Sequence, residues 1–263
     1  MNKKEIAVVI PIYLPVLSDT DRVSLKQCLK LLSEYEIIVI KPENLEVHEL
    51  AHYPLSHIES FPDDFFVSLR AYNRLVLAAE FYSRFQNYQY ILIYQLDAYV
   101  FKDELLFWAE KGYDYIGAPW LPSKRRHLSA IGRFRLFCQR FFCKWFNKEA
   151  FVSDKYYAYQ VGNGGFSLRK TSKMLDIVIH YKDKIDKLLA DDAEFYPEDI
   201  FLLHELTDSK YKLKKPNFKE ALQFSIEEKP DWAYFCNREQ LPFGCHAWCH
   251  KDYYYFWKSF INY

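Results

Sequence analysis

Chemistry in this chain is carried by a few acids, one imidazole and a run of glycines, each at a place where a chain changes direction. Asp97 closes the apolar run "YILIYQL" (Tyr90–Leu96). A carboxylate there is either the ligand of a hard divalent cation, which often takes only one or two protein carboxylates beside substrate phosphates, or an acceptor for a ribose hydroxyl, or a turn cap. Glu198 and Asp199 open the helical pattern "PEDIFLLHEL". Acids at a first turn favour the helix dipole, and one that faces a cleft can instead serve as a general base. The loop "PFGCHAWCH" (Pro242–His250) offers His246 as a metal ligand or a diphosphate contact, against a packed core histidine. Its cysteines lack the C-x₂-C spacing of common zinc sites. "VGNGGFSLR" places Asn163, Gly164 and Gly165 in a bend that lets backbone approach a ligand closely, or simply bulges a strand. It is not a G-x-G-x-x-G fingerprint. Arg70, Asn73 and Arg74 fall on one helical stretch, with the two arginines four apart and so on one face. Guanidinium groups fit phosphate; a solvated charged face is the alternative.

The elements that must position these groups are legible as alternating strands and helices. "EIAVVIPIY" and "EIIVIKP" are short, β-branched apolar runs of buried-strand type, separated by the amphipathic "DTDRVSLKQCLKLLSEY", with Ser18 or Asp19 as its N-cap. That is a βαβ unit and demands a parallel sheet. The pattern then predicts one long helix over Asp63–Phe85, a third parallel strand over Tyr90–Leu96 and a further helix from Thr171 to about Leu189, capped by Thr171 or Ser172. In open α/β sheets ligands bind beyond the carboxyl ends of strands. Asp97 lies there, as does the segment from Pro11 through Tyr13 to Pro15.

The chain has 263 residues, half of them hydrophobic, with 35 basic and 35 acidic side chains. This gives no global reason to expect nucleic acid as a partner. No apolar run reaches the length of a membrane span. The N-terminus runs straight into a strand, so no leader is expected, and reduced thiols in a cytoplasmic protein are the simplest reading of six cysteines. One segment stands apart. Pro122 to Phe151 carries eight Lys or Arg and one acid, interleaved with Phe134, Phe137, Phe141 and Trp145 at helical spacing. It reads as a membrane-surface helix, a nucleic-acid patch or a helix packed on the domain.

Taken in order, "VVIPIYLP", "YILIYQLDAYVF", "YIGAPW", "VGNGGFSLR", "EDIF" and "PFGCHAW" resemble GT-A-type glycosyltransferases, and more closely a poorly characterised group of GT-A-like proteins often found in surface-polysaccharide gene clusters. The resemblance implies a single α/β domain over 1–263, with a mostly parallel sheet flanked by helices. It has a nucleotide-binding half (1–105) and an acceptor half (106–263) that holds the basic-aromatic insert. It implies transfer of a sugar from a nucleotide sugar to a hydroxyl, with inversion; the basic-aromatic insert adds the expectation of a saccharide or lipid-linked saccharide acceptor at the cytoplasmic face of a membrane. Pro11, Tyr13, Arg70, Asn73, Arg74 and Asp97 would bind the nucleotide. Asp199 would be the base, with Glu198 its neighbour or substitute. Trp120, Asn163, Gly164 and Gly165 would shape the sugar and acceptor pocket, and Asp97 with His246 would hold any metal. The chain departs from the family at D-A-Y (Asp97–Tyr99), where a D-x-D would have a second acid. Either a weakly held Mn²⁺ or Mg²⁺ is shared with the diphosphate, or cationic side chains replace it. Nucleotidyl transfer and a non-catalytic nucleotide- or carbohydrate-binding module are the competing functions.

Overall fold

The computed structural model describes residues 1–121, 131, 132, 134, 138, 159–190, 197–206 and 208–261. The Pro122–Phe151 insert, except for four residues, lies outside them.

Strand β1 (Ile6–Pro11) is buried at all six positions, as its unbroken aliphatic sequence requires. It pairs in parallel with β2 (Glu36–Pro42) on one side and β4 (Tyr90–Tyr94) on the other. β3 (His57–Phe61) extends the sheet in parallel beyond β2. On the far side β7 (Phe166–Lys170) runs antiparallel to β4, and β6 (Tyr115–Ile116) runs antiparallel to β7. The order is β3-β2-β1-β4-β7-β6. A second small sheet is ordered β5 (Tyr99–Val100), β9 (Gly244–Cys245), β8 (Ser225–Ile226).

Alternation along the strands divides the core into two layers. Ile6, Val8, Ile10, Leu92 and Tyr94 face α1 (Asp19–Leu31) and α4 (Leu105–Glu110). Ala7, Val9, Ile91 and Ile93 face α2 (Leu69–Val76), α3 (Ala79–Arg84), α5 (Thr171–His180) and α6 (Lys182–Ala190). A third cluster, with Trp248 and Trp257 at its centre, underlies the small sheet. Around it lie α8 (Phe218–Phe224), α9 (Pro230–Cys236) and α10 (Tyr254–Trp257). Helix α7 (Glu198–His204) follows Pro197.

Ser18 caps α1, its hydroxyl accepting from the Asp21 amide. Two expected helices are broken. Asp63–Phe85 becomes a 3₁₀ turn followed by α2 and α3, with the break at Leu77–Ala78. Leu75, Val76 and Leu77 are all buried. A continuous helix would turn three successive side chains through about 200°, so the break re-phases the chain and puts Phe81, Tyr82 and Phe85 back on the same core. The second expected helix divides at Tyr181, and neither Thr171 nor Ser172 caps it: the N-cap is Lys170, without a side-chain bond.

Candidate active site

The carboxyl ends of β1 and β4 open onto a cleft of about 530 Å³. Its walls include Pro11 at the end of β1 and Tyr13 beyond it, Ser68, Leu69 and Tyr72 from the start of α2, and Gln95 and Asp97 after β4. Parallel pairing of β8 with β9 matches Ile226 to Cys245, so the next residues, Glu227 and His246, leave the sheet side by side. Antiparallel pairing of β5 with β9 then brings the other edge, with Asp97 just before β5, to the same imidazole.

His246 is held from both sides. Its Nε2 lies 3.0 Å from Asp97 Oδ1 and its Nδ1 2.9 Å from Glu227 Oε1. Gln95 Oε1 is 3.2 Å from Nε2. Burial alone would lower the imidazole pKa, but the Asp97 and Glu227 carboxylates outweigh it and raise it to about 10. Burial likewise pushes the Asp97 carboxyl up, and attraction to His246 more than reverses this, holding it below its ordinary range. Asp97 keeps 40% of its side chain exposed to the cleft.

Among the described residues no three His, Cys, Asp or Glu side chains cluster as a metal site. The pair nonetheless fits a cation. Two ligand atoms 3.0 Å apart span the cis edge of an octahedron with bonds of about 2.1 Å. Glu227 on Nδ1 is the carboxylate that commonly orients a metal-bound imidazole. Gln95 adds a hard amide oxygen. Asp97 and His246, with Gln95 beside them, are the residues that could hold a divalent ion.

Gln95 and Glu227 are the residues that sequence reasoning missed. Asp97 meets His246, the residue paired with it above, and Gln95 reaches the same Nε2. Tyr99 packs its ring on Phe101 and Trp248 in the third core cluster, so an acid at 99 would not reach the cleft.

Asp199 and Glu198 meet the other side of the site through Asn163. The Asn163 amide donates to Asp199 Oδ2 at 3.0 Å, and the Ile200 amide donates to Oδ1 at 2.8 Å. The Asn163 carboxamide in turn lies 3.3 Å from His246 Nδ1. Burial, then the neighbouring Glu198 charge, pushes the Asp199 carboxyl up to about 7. Glu198 has a different task. Its Oε1 accepts from Arg169 at 2.6 Å, with 1% of the arginine side chain and 8% of its own exposed. Arg169 also donates to Tyr82 and Ser167. Glu198 is thereby held in a buried ion pair with Arg169.

The glycines act by making room. A Cβ on Gly164 would strike the Glu198 carboxylate, one on Gly165 His246 and Gln95, and one on Gly162 the Trp120 ring. The left-handed position is Asn163 itself, at φ 72°, a conformation that asparagine tolerates better than most residues. Its Oδ1 accepts from the Gly165 amide at 2.9 Å, and Tyr115 Oη donates to its carbonyl at 2.6 Å.

Arg70, Asn73 and Arg74 are not brought to the cleft. Arg70 donates to the Leu189 carbonyl of α6, Arg74 lines a separate cavity beside α6, and Asn73 is buried. Tyr72 faces the cleft, and residues two apart on a helix point to opposite sides.

The sheet order, its antiparallel β7 and the cleft at the β1–β4 ends define a mixed, mostly parallel α/β architecture of GT-A-like fold. Residues 56–246 match the family described as "Protein of unknown function (DUF5672)", and the chain belongs to that family. No curated protein matches the sequence. Among solved structures it is similar to galactosyltransferase LgtC in complex with donor and acceptor sugar analogs (TM-score 0.51, 13% identity, 91% of this chain and 86% of that one). It is also similar to glycosyltransferase GlyE of Streptococcus pneumoniae TIGR4 (0.50, 13%, 94% and 54%) and to mannosyltransferase Ktr4p of S. cerevisiae in complex with GDP (0.50, 10%, 83% and 68%). At these identities the likeness is one of fold. The chain spans about half the length of GlyE.

Proposed function

We propose that the protein is an inverting glycosyltransferase that moves a sugar from a nucleotide sugar to a hydroxyl of a saccharide or lipid-linked saccharide, at the cytoplasmic face of a membrane. The observation that carries this reading is Asp199. It is a carboxyl raised to about 7, joined through Asn163 to the His246–Asp97 corner of the cleft. A carboxylate near neutrality is suited to general-base work. Asp199 takes the proton of the acceptor hydroxyl as that oxygen bonds to the anomeric carbon. The bond from that carbon to the diphosphate breaks with its electron pair leaving on the phosphate oxygen. Charge on the departing diphosphate meets His246, whose proton Asp97 and Glu227 hold in place. A divalent ion, where bound by Asp97, His246 and Gln95, would supply Lewis-acid stabilisation of the same charge. Pro11 and Tyr13, which line the cleft, would take the nucleotide, and Trp120, Asn163, Gly164 and Gly165 would shape the sugar and acceptor side.

The test is Asp199→Asn, assayed by release of nucleoside diphosphate with a set of nucleotide sugars and glycan acceptors. Loss of a general base lowers turnover by about 10²- to 10⁴-fold, with nucleotide binding retained. Full activity of a folded Asp199→Asn protein would exclude Asp199 as the base.

A further inference from the structure

One polar group in the cleft has no part in the chemistry above. Tyr72 lines the cleft beside Gln95 and Asp97. Its hydroxyl oxygen is buried and makes no hydrogen bond; the Gln95 carboxamide acts on it without closing one. Buried hydroxyls nearly always find a partner, and an unmet one costs about 1–3 kcal/mol. The hydroxyl also feels Arg169 and Glu198, the pair that anchors the start of α7. Tyr72 therefore stands between the nucleotide cleft and the helix that carries Asp199.

We infer that Tyr72 Oη hydrogen-bonds a ring hydroxyl of the transferred sugar, and that Tyr72 is a specificity-determining residue of the donor site. The inference rests on the glycosyl-transfer reading. A pyranose hydroxyl both donates and accepts, so it satisfies a phenol that the protein leaves unmet. The nucleoside end has a different lining, with Tyr13, Leu14, Val67 and Leu69 all strongly exposed.

Thermal shift and calorimetry on wild type and Tyr72→Phe separate the possibilities, using UDP, GDP, CMP and dTDP beside their common sugar conjugates, with Mn²⁺ present. The substitution is expected to hold or raise the unliganded Tm and to leave affinity for the free nucleotide unchanged. It should weaken binding of the matching nucleotide sugar by about tenfold, the loss of one hydrogen bond in a closed site. Unchanged affinity for the nucleotide sugar overturns the inference. So does an equal loss for the free nucleotide, or a lowered Tm, since each would give the hydroxyl a structural partner. If no nucleotide or nucleotide sugar binds wild type, the parent reading falls, and this inference with it.

Discussion

Two carboxylate corners flank Asn163, and the protein treats their charges in opposite ways. At one, Glu198 is sealed against Arg169, with 8% and 1% of the side chains exposed. At the other, Asp97 meets His246 with 40% of its side chain open to the cleft. A sealed pair is committed to architecture, because removing either member strands a charge away from water. An open pair can trade its partner for a ligand. The two corners share one short loop, so chemistry can be probed at one while the frame is probed at the other.

The largest difference should come from deleting one ion at each corner. Arg169→Met is expected to cost about 3–5 kcal/mol of stability, the usual result of breaking a buried pair. Asp97→Asn should cost about 1 kcal/mol or less, because His246 keeps Glu227 and can release its proton. Urea unfolding of the two variants checks this, and equal losses would erase the distinction. Donor binding should show the reverse order, with Asp97→Asn the more damaging.

Adding one methyl group sharpens the contrast. Gly164→Ala drives a Cβ into Glu198, and Gly165→Ala drives one into His246 and Gln95. The first should lower Tm more, since its neighbour is pinned by a buried ion pair. The second should mainly weaken binding of the nucleotide diphosphate. Calorimetry with the best-binding nucleotide measures the second effect.

A further effect is a matter of pH, and its two parts have opposite signs. Asp199 has its carboxyl raised from 3.8 to about 7. The folded protein therefore holds a proton between those values that the unfolded chain has lost. The stability contributed by this group is complete below about 4 and falls away as pH rises through 7. Turnover needs the ionised base, so kcat/KM should climb over the same upper range. Comparing wild type with Asp199→Asn from pH 4 to 8 should show the variant losing less stability as pH rises.

Much of the frame was legible because buried parallel strands are unbroken aliphatic runs. β1 and β2 match those runs, and Ser18 caps α1 as its hydroxyl and position predict. Glu198 and Asp199 stood together at a helix start after a proline, and position alone did not tell their tasks apart. What sequence could not report was re-phasing within apolar stretches: the break at Leu77–Ala78 and the one at Tyr181 leave the periodicity almost intact. Arg169 and Glu227 were also invisible. An arginine within a buried strand, or a glutamate after a two-residue strand, gains meaning only when a distant partner is set against it. Gln95 was no more legible, because residues 95–98 form a turn closed by the Ala98 amide on the Gln95 carbonyl, where strand alternation does not apply.

The join between β4 and β7 has a consequence for how such a chain can be altered. Five consecutive pairs, from Tyr90–Lys170 to Tyr94–Phe166, stitch the N-terminal half of the chain to its C-terminal half through the middle of one sheet. Severing the halves would leave β4, buried at every position, as a long apolar edge open to intermolecular pairing. The two halves are therefore not interchangeable cassettes. Specificity in this architecture is better re-engineered residue by residue around the cleft than by grafting one half onto another.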